Sequence, residues 1–266
     1  MGKNDYEENH TPMTAQGEKL AYLSTQDMKY EQGDSIRITT DSPGRHLAVR
    51  LDEALDTTLI YLSGTTWEYA VPLAENERSS IPDIAFTGKG HYISVRYARD
   101  YEIKQYRNLA YNPHDQKEAS GAYPHAHANV ETRNDSTFFA KNAIDGIYAN
   151  NSHGSYPYQS WGINRNPEAQ LTIDFGRKVC IDGVGLVLRA DFPHDSYWQQ
   201  VTLRFSDGTS HTFDTAKTAD IQEFSFAPIT AEFVVLEKLI KADDESPFPA
   251  LSQLEVYGTE KGDGAR

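Results

Sequence analysis

The stretch AQLTIDFGRKVCIDGVGLVLR, Ala169 to Arg189, is where the fold is decided. It reads as two β-strands, AQLTIDFG and KVCIDGVGLVLRA, whose apolar residues recur with the alternation that places them on one face of a sheet. Cys180 lies inside the second and is read as a buried strand residue. It is the single cysteine, so the chain has no intrachain disulfide and no CxxC redox or zinc pair. Directly after this run comes RADFPHDSYWQQV, Arg189 to Val201, which crowds two acids, a histidine, an arginine, a tyrosine and a tryptophan together.

Working outward, further strands are read at QQVTLRFS, SHTFDT, QEFSFAP, AEFVVLEKLI and LSQLEVYG. Asp207-Gly208, between VTLRFS and TSHTF, is the pair that tolerates the positive φ of a type I′ hairpin turn. One short helix is expected over Ser136 to Ile144, with Ser136 as N-cap and Gly146 just past its end. Tyr106 to Asn129 has little apolar periodicity and much Pro, Gly and Ser, which places a boundary near Asn108.

Upstream, DSIRITT, HLAVRL, TTLIYLS, TWEYAVPL and HYISVRYA are short alternating runs, Leu47, Val49 and Leu51 for instance sharing one face. Turn-forming text separates them: QGD at 32–34, DSPGR at 41–45, SG at 63–64 and TGKG at 87–90. The fold class is therefore all-β, beginning with an antiparallel β-sandwich over 19–107 that carries no recognisable chemistry. Residues 1–18 are polar and aperiodic and read as a disordered tail, and the end TEKGDGAR reads as frayed.

At 266 residues with 39 acidic against 25 basic side chains, the chain has a formal charge of −14. That charge argues against nucleic acid or an anionic membrane surface as partner and suits a neutral ligand or a cation. No apolar leader or membrane-length run is present, so the chain as written reads as cytoplasmic, or extracellular if a leader has been trimmed. The sequence leaves the oligomeric state open.

The order NLA, then NAIDG, then a tryptophan at SWG, then AQLTIDFGRKVCIDGVGLVLR and a terminal LSQLEVYG resembles the discoidin, or coagulation factor 5/8 type C, family over Asn108 to Gly258. The resemblance implies that 108–260 forms a galactose-binding-like β jelly roll, a fold used by many bacterial carbohydrate-binding modules, with ligand held in loops at one end. It also implies that Trp161 is a packing tryptophan, and that the loop from Arg189 to Trp198 supplies ligand contacts.

Sugar binding needs a flat apolar face for the C–H side of the ring and fixed polar groups for the hydroxyls. Arg189, Asp191 and His194 are the candidate polar contacts, with Tyr197 or Trp198 as the face. His125 and His127, in AYPHAHAN, are expected to approach the same end. The structural alternatives are that Arg189 pairs with Asp191 or Asp195 and that Trp198 is a core aromatic. The resemblance further implies calcium near the DG turn, held by carbonyl oxygens, Asp145 and a glutamate before the last strand. Asn142 and Asn150 are at hand for such a site, but Gln253 stands where that glutamate is expected, which removes a charge and weakens the site.

The reading that results is a non-catalytic carbohydrate-binding protein. One rival is a metal-assisted hydrolase or lyase using His125, His127, His194, Asp191 and His153, although no HExxH, GxSxG, P-loop or GxGxxG motif occurs and no spacing selects a pair of carboxylates for glycoside hydrolysis. A protein-interaction module is the other.

Overall fold

A computed structural model of the chain describes residues 12–260. Residues 1–11 of the expected tail and 261–266 of the expected frayed end lie outside the described residues, whereas Thr259 and Glu260 belong to the last strand. The architecture is all-β, and every strand pair is antiparallel. Among the described residues no helix is long and apolar enough to cross a membrane.

The first unit contains β1 (Leu20–Thr25), β2 (Ser35–Thr39), β3 (Arg45–Arg50), β4 (Thr58–Leu62), β5 (Thr66–Ala70) and β6 (His91–Tyr97). Strands β2 and β5 form a ladder that covers a five-stranded sheet ordered β1-β6-β3-β4-β8, the last being β8 (Ala122–Tyr123). The alternation read in the sequence is what fills the space between them. Ile36 and Ile38, with Trp67 and Tyr69, meet Leu47, Val49, Ile60 and Leu62, all buried in one cluster. Strand β1 was not legible: it is an edge strand whose Leu20 and Tyr22 face solvent, so its two-residue alternation carries no apolar signal.

The second unit adds β7 (Arg107–Asn108), β9 (His125–Ala128), β10 (Trp161–Gly162), β11 (Leu171–Leu188), β12 (Trp198–Phe205), β13 (Ser210–Asp214), β14 (Gln222–Lys241) and β15 (Ala250–Glu260). Its sheet runs β10-β15-β11-β14-β12-β13, with β7 on β15 and β9 on β11. Two pairs of expected strands are each one continuous strand here. β11 passes through an irregularity between Asp174 and Val179, and β14 carries Pro228 at the second irregularity, opposite Asp182, where a ladder can tolerate a residue with no N–H. The sheet closes around a core that includes Leu171, Ile173, Leu186, Trp161, Trp198 and Leu254.

Three local expectations are corrected. The helix over Ser136–Ile144 is two 3₁₀ turns, Ser136–Phe138 and Ala140–Ile144, separated by extended Phe139. Its cap is Asp135, which accepts from Thr137 N at 3.1 Å, because Ser136 is drawn into the unit interface, where its N–H donates to Asn76 Oδ1 at 2.9 Å. In the Asp207-Gly208 hairpin only Gly208 has positive φ (90°). Its N–H donates to Phe205 O at 3.0 Å and Phe205 N to Thr209 O at 2.8 Å, a three-residue loop with glycine in the left-handed position rather than a type I′ turn.

The segment following Asn108 serves both cores: Leu109 and Ala110 join the second, Ala122 the first. It also stitches the units together. Leu51 N donates to His114 Nε2 at 3.2 Å, Thr58 Oγ1 to Tyr111 O at 3.2 Å, and Gln116 pairs with both the N–H and C=O of Ala70. Burial pushes His114 down to about 3, which keeps the imidazole neutral and able to accept that bond.

Candidate functional site

The loop leaving β11 is organised by an ion pair. Arg189 Nε lies 2.9 and 2.8 Å from the two oxygens of Asp195, and Nη2 closes the fork on Oδ1. Both residues are buried, at 4% and 1% exposure. Arg189 Nη2 also donates to Phe248 O at 3.2 Å, and Asp191 N donates to Asp195 Oδ2 at 3.0 Å. A bidentate pair in a dry setting fixes geometry more than it stabilises. The expected alternative of an Arg189–Asp195 pair is thus what the structure contains, and its role is to hold the loop and the segment before β15 in register. Arg189 borders the cleft described next, with most of its donors already engaged.

That cleft, about 250 Å³, lies between the β11–β12 loop, the turn after β10 and the segment preceding β15. A row of flat groups lines it. His153 and His194 stack with ring centroids 4.2 Å apart and planes 14° from parallel. His194 in turn stacks on Phe248 at 5.5 Å, and the Arg165 guanidinium sits 4.7 Å over the same phenyl ring. His153 is oriented by Asp191, Nδ1 to Oδ2 at 2.7 Å, and the His194 carbonyl accepts from Ser246 Oγ. Arg165 and Asn164 reach the cleft from left-handed backbone, φ 59° and 49°, and Arg133 from φ 56°. Among the described residues no carboxylate side chain lines this cleft, although Asp191 is bonded to His153 at its wall.

Of the residues singled out in the sequence, Arg189, Asp191 and His194 gather here. Trp198 does not. It is completely buried, 6.2 Å from Trp161 in the core, and offers no face to a ligand. Tyr197 is half-buried against the same core. His125 and His127 stand on β9, opposite Asp174 and Thr172 of β11, and stack on each other at 5.8 Å. Neither lines the cleft that His194 borders. Instead His125 Nδ1 lies 2.8 Å from Asp115 Oδ1, whose other oxygen accepts from Ala126 N at 2.8 Å. Burial pulls the His125 pKa down, but the Asp115 hydrogen bond and charge outweigh it and raise the value overall. His125 is thus a buried structural residue that ties β9 to Asp115.

The sequence missed Phe248, Arg165, Asn164 and Arg133, and named His153 only for a metal reading. The one available signal was Pro247-Phe248-Pro249, an aromatic held between prolines just before a strand.

The candidate calcium ligands form a hydrogen-bonded cluster of a different kind. Gln253 Oε1 accepts from Gly146 N at 3.0 Å, and Gly146 has a φ of 83° and no room for a side chain against Tyr111. The other end of the amide, Nε2, stands among oxygens: Asn142 O at 2.8 Å, Asp145 Oδ1 at 2.7 Å and Ile147 O at 3.2 Å. The amide protons therefore occupy the oxygen-lined position in which a cation would sit, and as arranged these residues do not fit one. Asn142 contributes its carbonyl while its side chain donates to Ser136 O at 2.8 Å. Asn150 is elsewhere, donating to Leu188 O and Ala219 O at 2.8 Å each. Asp145, pushed up to about 6 by burial against the hydrogen bonds of Gln159, Ile147 and Gln253, also feels the positive charge of Lys141.

No protein-family model matches the chain, and no curated protein does. Similar solved structures do exist. One is the chitosan-binding module 1 from a chitosanase/glucanase of Paenibacillus sp. IK-5, 22% identical, covering 57% of this chain and 98% of that one with a TM-score of 0.37. A second is the family 32 carbohydrate-binding module of C. perfringens NanJ in complex with galactose, 18% identical, covering 50% and 91% with a TM-score of 0.38. The lectin domain of lectinolysin complexed with Lewis B antigen is a third, 18% identical, covering 57% and 96% with a TM-score of 0.43. The solved structures to which this chain is similar include carbohydrate-binding modules and lectin domains.

Proposed function

We propose that the chain binds carbohydrate without acting on it, and that one sugar residue is held in the cleft between His153, His194, Arg165 and Phe248. The observation that carries this reading is the exposed Phe248 ring, 38% accessible, set beside fixed donors on three separate loops. An apolar edge next to convergent N–H groups is what a pyranose demands, since its C–H surface and its hydroxyls must be matched together.

The charge of the wall refines the ligand class. Among the described residues Arg165 lines the cleft without a carboxylate on its guanidinium, whereas Arg189 is paired with Asp195, Arg133 with Asp135 and His153 with Asp191. One uncompensated guanidinium beside the Phe248 ring favours a sugar bearing carboxylate or sulfate. The cleft is small and open, so a dissociation constant of about 10 µM to 1 mM is expected.

The test is calorimetric titration with matched neutral, uronic and sulfated saccharides, with and without calcium. Binding of an acidic sugar at least ~10-fold tighter than its neutral counterpart is expected, lost in Phe248→Ala and Arg165→Ala while the melting temperature holds. If no saccharide binds, or binding survives Phe248→Ala, the reading fails.

A further inference from the structure

The first unit holds a cluster of its own in the loop that follows β3. Asp52 is buried at 4% exposure, its Oδ1 accepting from Ala54 N and its Oδ2 from Phe86 N, both at 2.8 Å. Those two bonds pin the loop to the turn before β6 and leave the carboxylate in one orientation. Glu53 follows at the surface. His91, the first residue of β6, is 6% exposed, and its Nε2 is buried with no hydrogen-bond partner. One ligand atom from each of Asp52, Glu53 and His91 lies within 4.8 Å of the other two. The Tyr30 hydroxyl, also buried without a partner, belongs to a ring 4.7 Å from that of His91.

An imidazole nitrogen sealed from water with nothing to bond is costly, and so are two carboxylates brought together. One species removes both penalties. We propose that Asp52, Glu53 and His91 form a divalent transition-metal site, best matched to zinc, which ties the β3–β4 loop to the start of β6. The nitrogen donor disfavours calcium and magnesium, which take oxygen ligands. Zinc bonds of about 2.0–2.2 Å to nitrogen and oxygen place tetrahedral donors roughly 3.4 Å apart. Metal binding would draw the three ligand atoms, now within 4.8 Å of one another, closer together, and Glu53 at the surface is the ligand with room to move. Three protein ligands leave a fourth position for water, and the unpartnered Tyr30 hydroxyl is the neighbouring group able to bond it.

The untagged 266-residue chain is stripped with EDTA, dialysed, and titrated with Co²⁺ followed by absorption spectroscopy, and with Zn²⁺ followed by calorimetry and thermal melting. The expected result is one equivalent of Co²⁺ with visible d–d bands, and a melting temperature raised by several degrees in Zn²⁺. Glu53→Gln and His91→Gln should each weaken binding at least tenfold. The His153→Ala/His194→Ala double variant should leave it unchanged, separating this site from the C-terminal histidines. Should His91→Gln fail to fold, Glu53→Gln at the surface still decides the matter. Absence of binding, or binding that survives Glu53→Gln and disappears in the double variant, overturns the proposal.

Discussion

The Gln253 side-chain amide donates to the Asp145 carboxylate at 2.7 Å while accepting from Gly146 N at 3.0 Å, so a neutral side chain joins the DG turn to the last strand. Gln253→Glu exchanges an NH₂ for an oxygen that then faces Asp145 and the carbonyls of Asn142 and Ile147. Without a cation this leaves a repelling, unsatisfied group, and a loss on the order of 2–4 kcal/mol is expected in EDTA. Calcium should recover much of it, because the variant completes an oxygen cage. Melting curves of both proteins with and without calcium check this. A variant as stable as the parent in EDTA, or unresponsive to calcium, would show that the amide is not the bonding centre of this cluster.

Asp145 gives the second expectation. Burial raises it from 3.8 to about 6, so the folded chain holds a proton there that the unfolded chain has released. Between these values the native state binds more protons, and stability therefore falls as pH rises from about 4 to about 6. Asp145→Asn removes that dependence, and Gln159 Oε1, buried and unpartnered, can take the new amide proton. Because other carboxylates titrate with the opposite sign, Glu102 being lowered to about 2 by Arg96, the readout is the difference between the two proteins. In urea unfolding at pH 4 and pH 7, the variant should gain on the parent by about 2 kcal/mol over this range. A constant difference would refute it.

The strands were legible because their apolar residues keep a period of two, and the β11 region and the five strands β2 to β6 of the first unit followed from that alone. Strands β8 and β9 were not: their text is Pro-, Gly- and His-rich, and their extended form comes from pairing with β4 and β11. Site residues divided in the same way. Arg189, Asp191 and His194 sit in one loop after one strong strand, where crowding is visible in the sequence. Phe248 and Arg165 reach that loop only through the fold, from segments far along the chain. Trp198 was misread because the register shifts between Trp198 and Thr202 obscure the alternation that would have turned it inward with Leu203 and Phe205.

Glu260 supports the last expectation. At the end of β15 its carboxylate receives Arg107 Nη2 at 2.7 Å and Arg177 Nε at 2.8 Å. His46 Nε2 from β3 lies 3.2 Å away, in ion-pair range but off hydrogen-bond alignment. All four side chains are at most 16% exposed, so two strands of the second unit and one of the first converge on a single nearly dry anion. Glu260→Ala leaves the two arginines facing each other unpaired, and a loss of about 3 kcal/mol at pH 7 follows. Burial opposes ionisation of Glu260, but His46 and Arg177 hold its carboxyl well below the usual range. Its contribution is thus present above pH 4.5 and fades only as pH falls toward the lowered folded value. The control is Glu68→Ala, which breaks the Arg37–Glu68 pair, whose side chains are 65% and 53% exposed; such a solvated, screened pair contributes little to stability. Urea unfolding of both variants decides the question, because equal losses would mean that the Glu260 cluster is an ordinary surface bridge and does not hold the two units together.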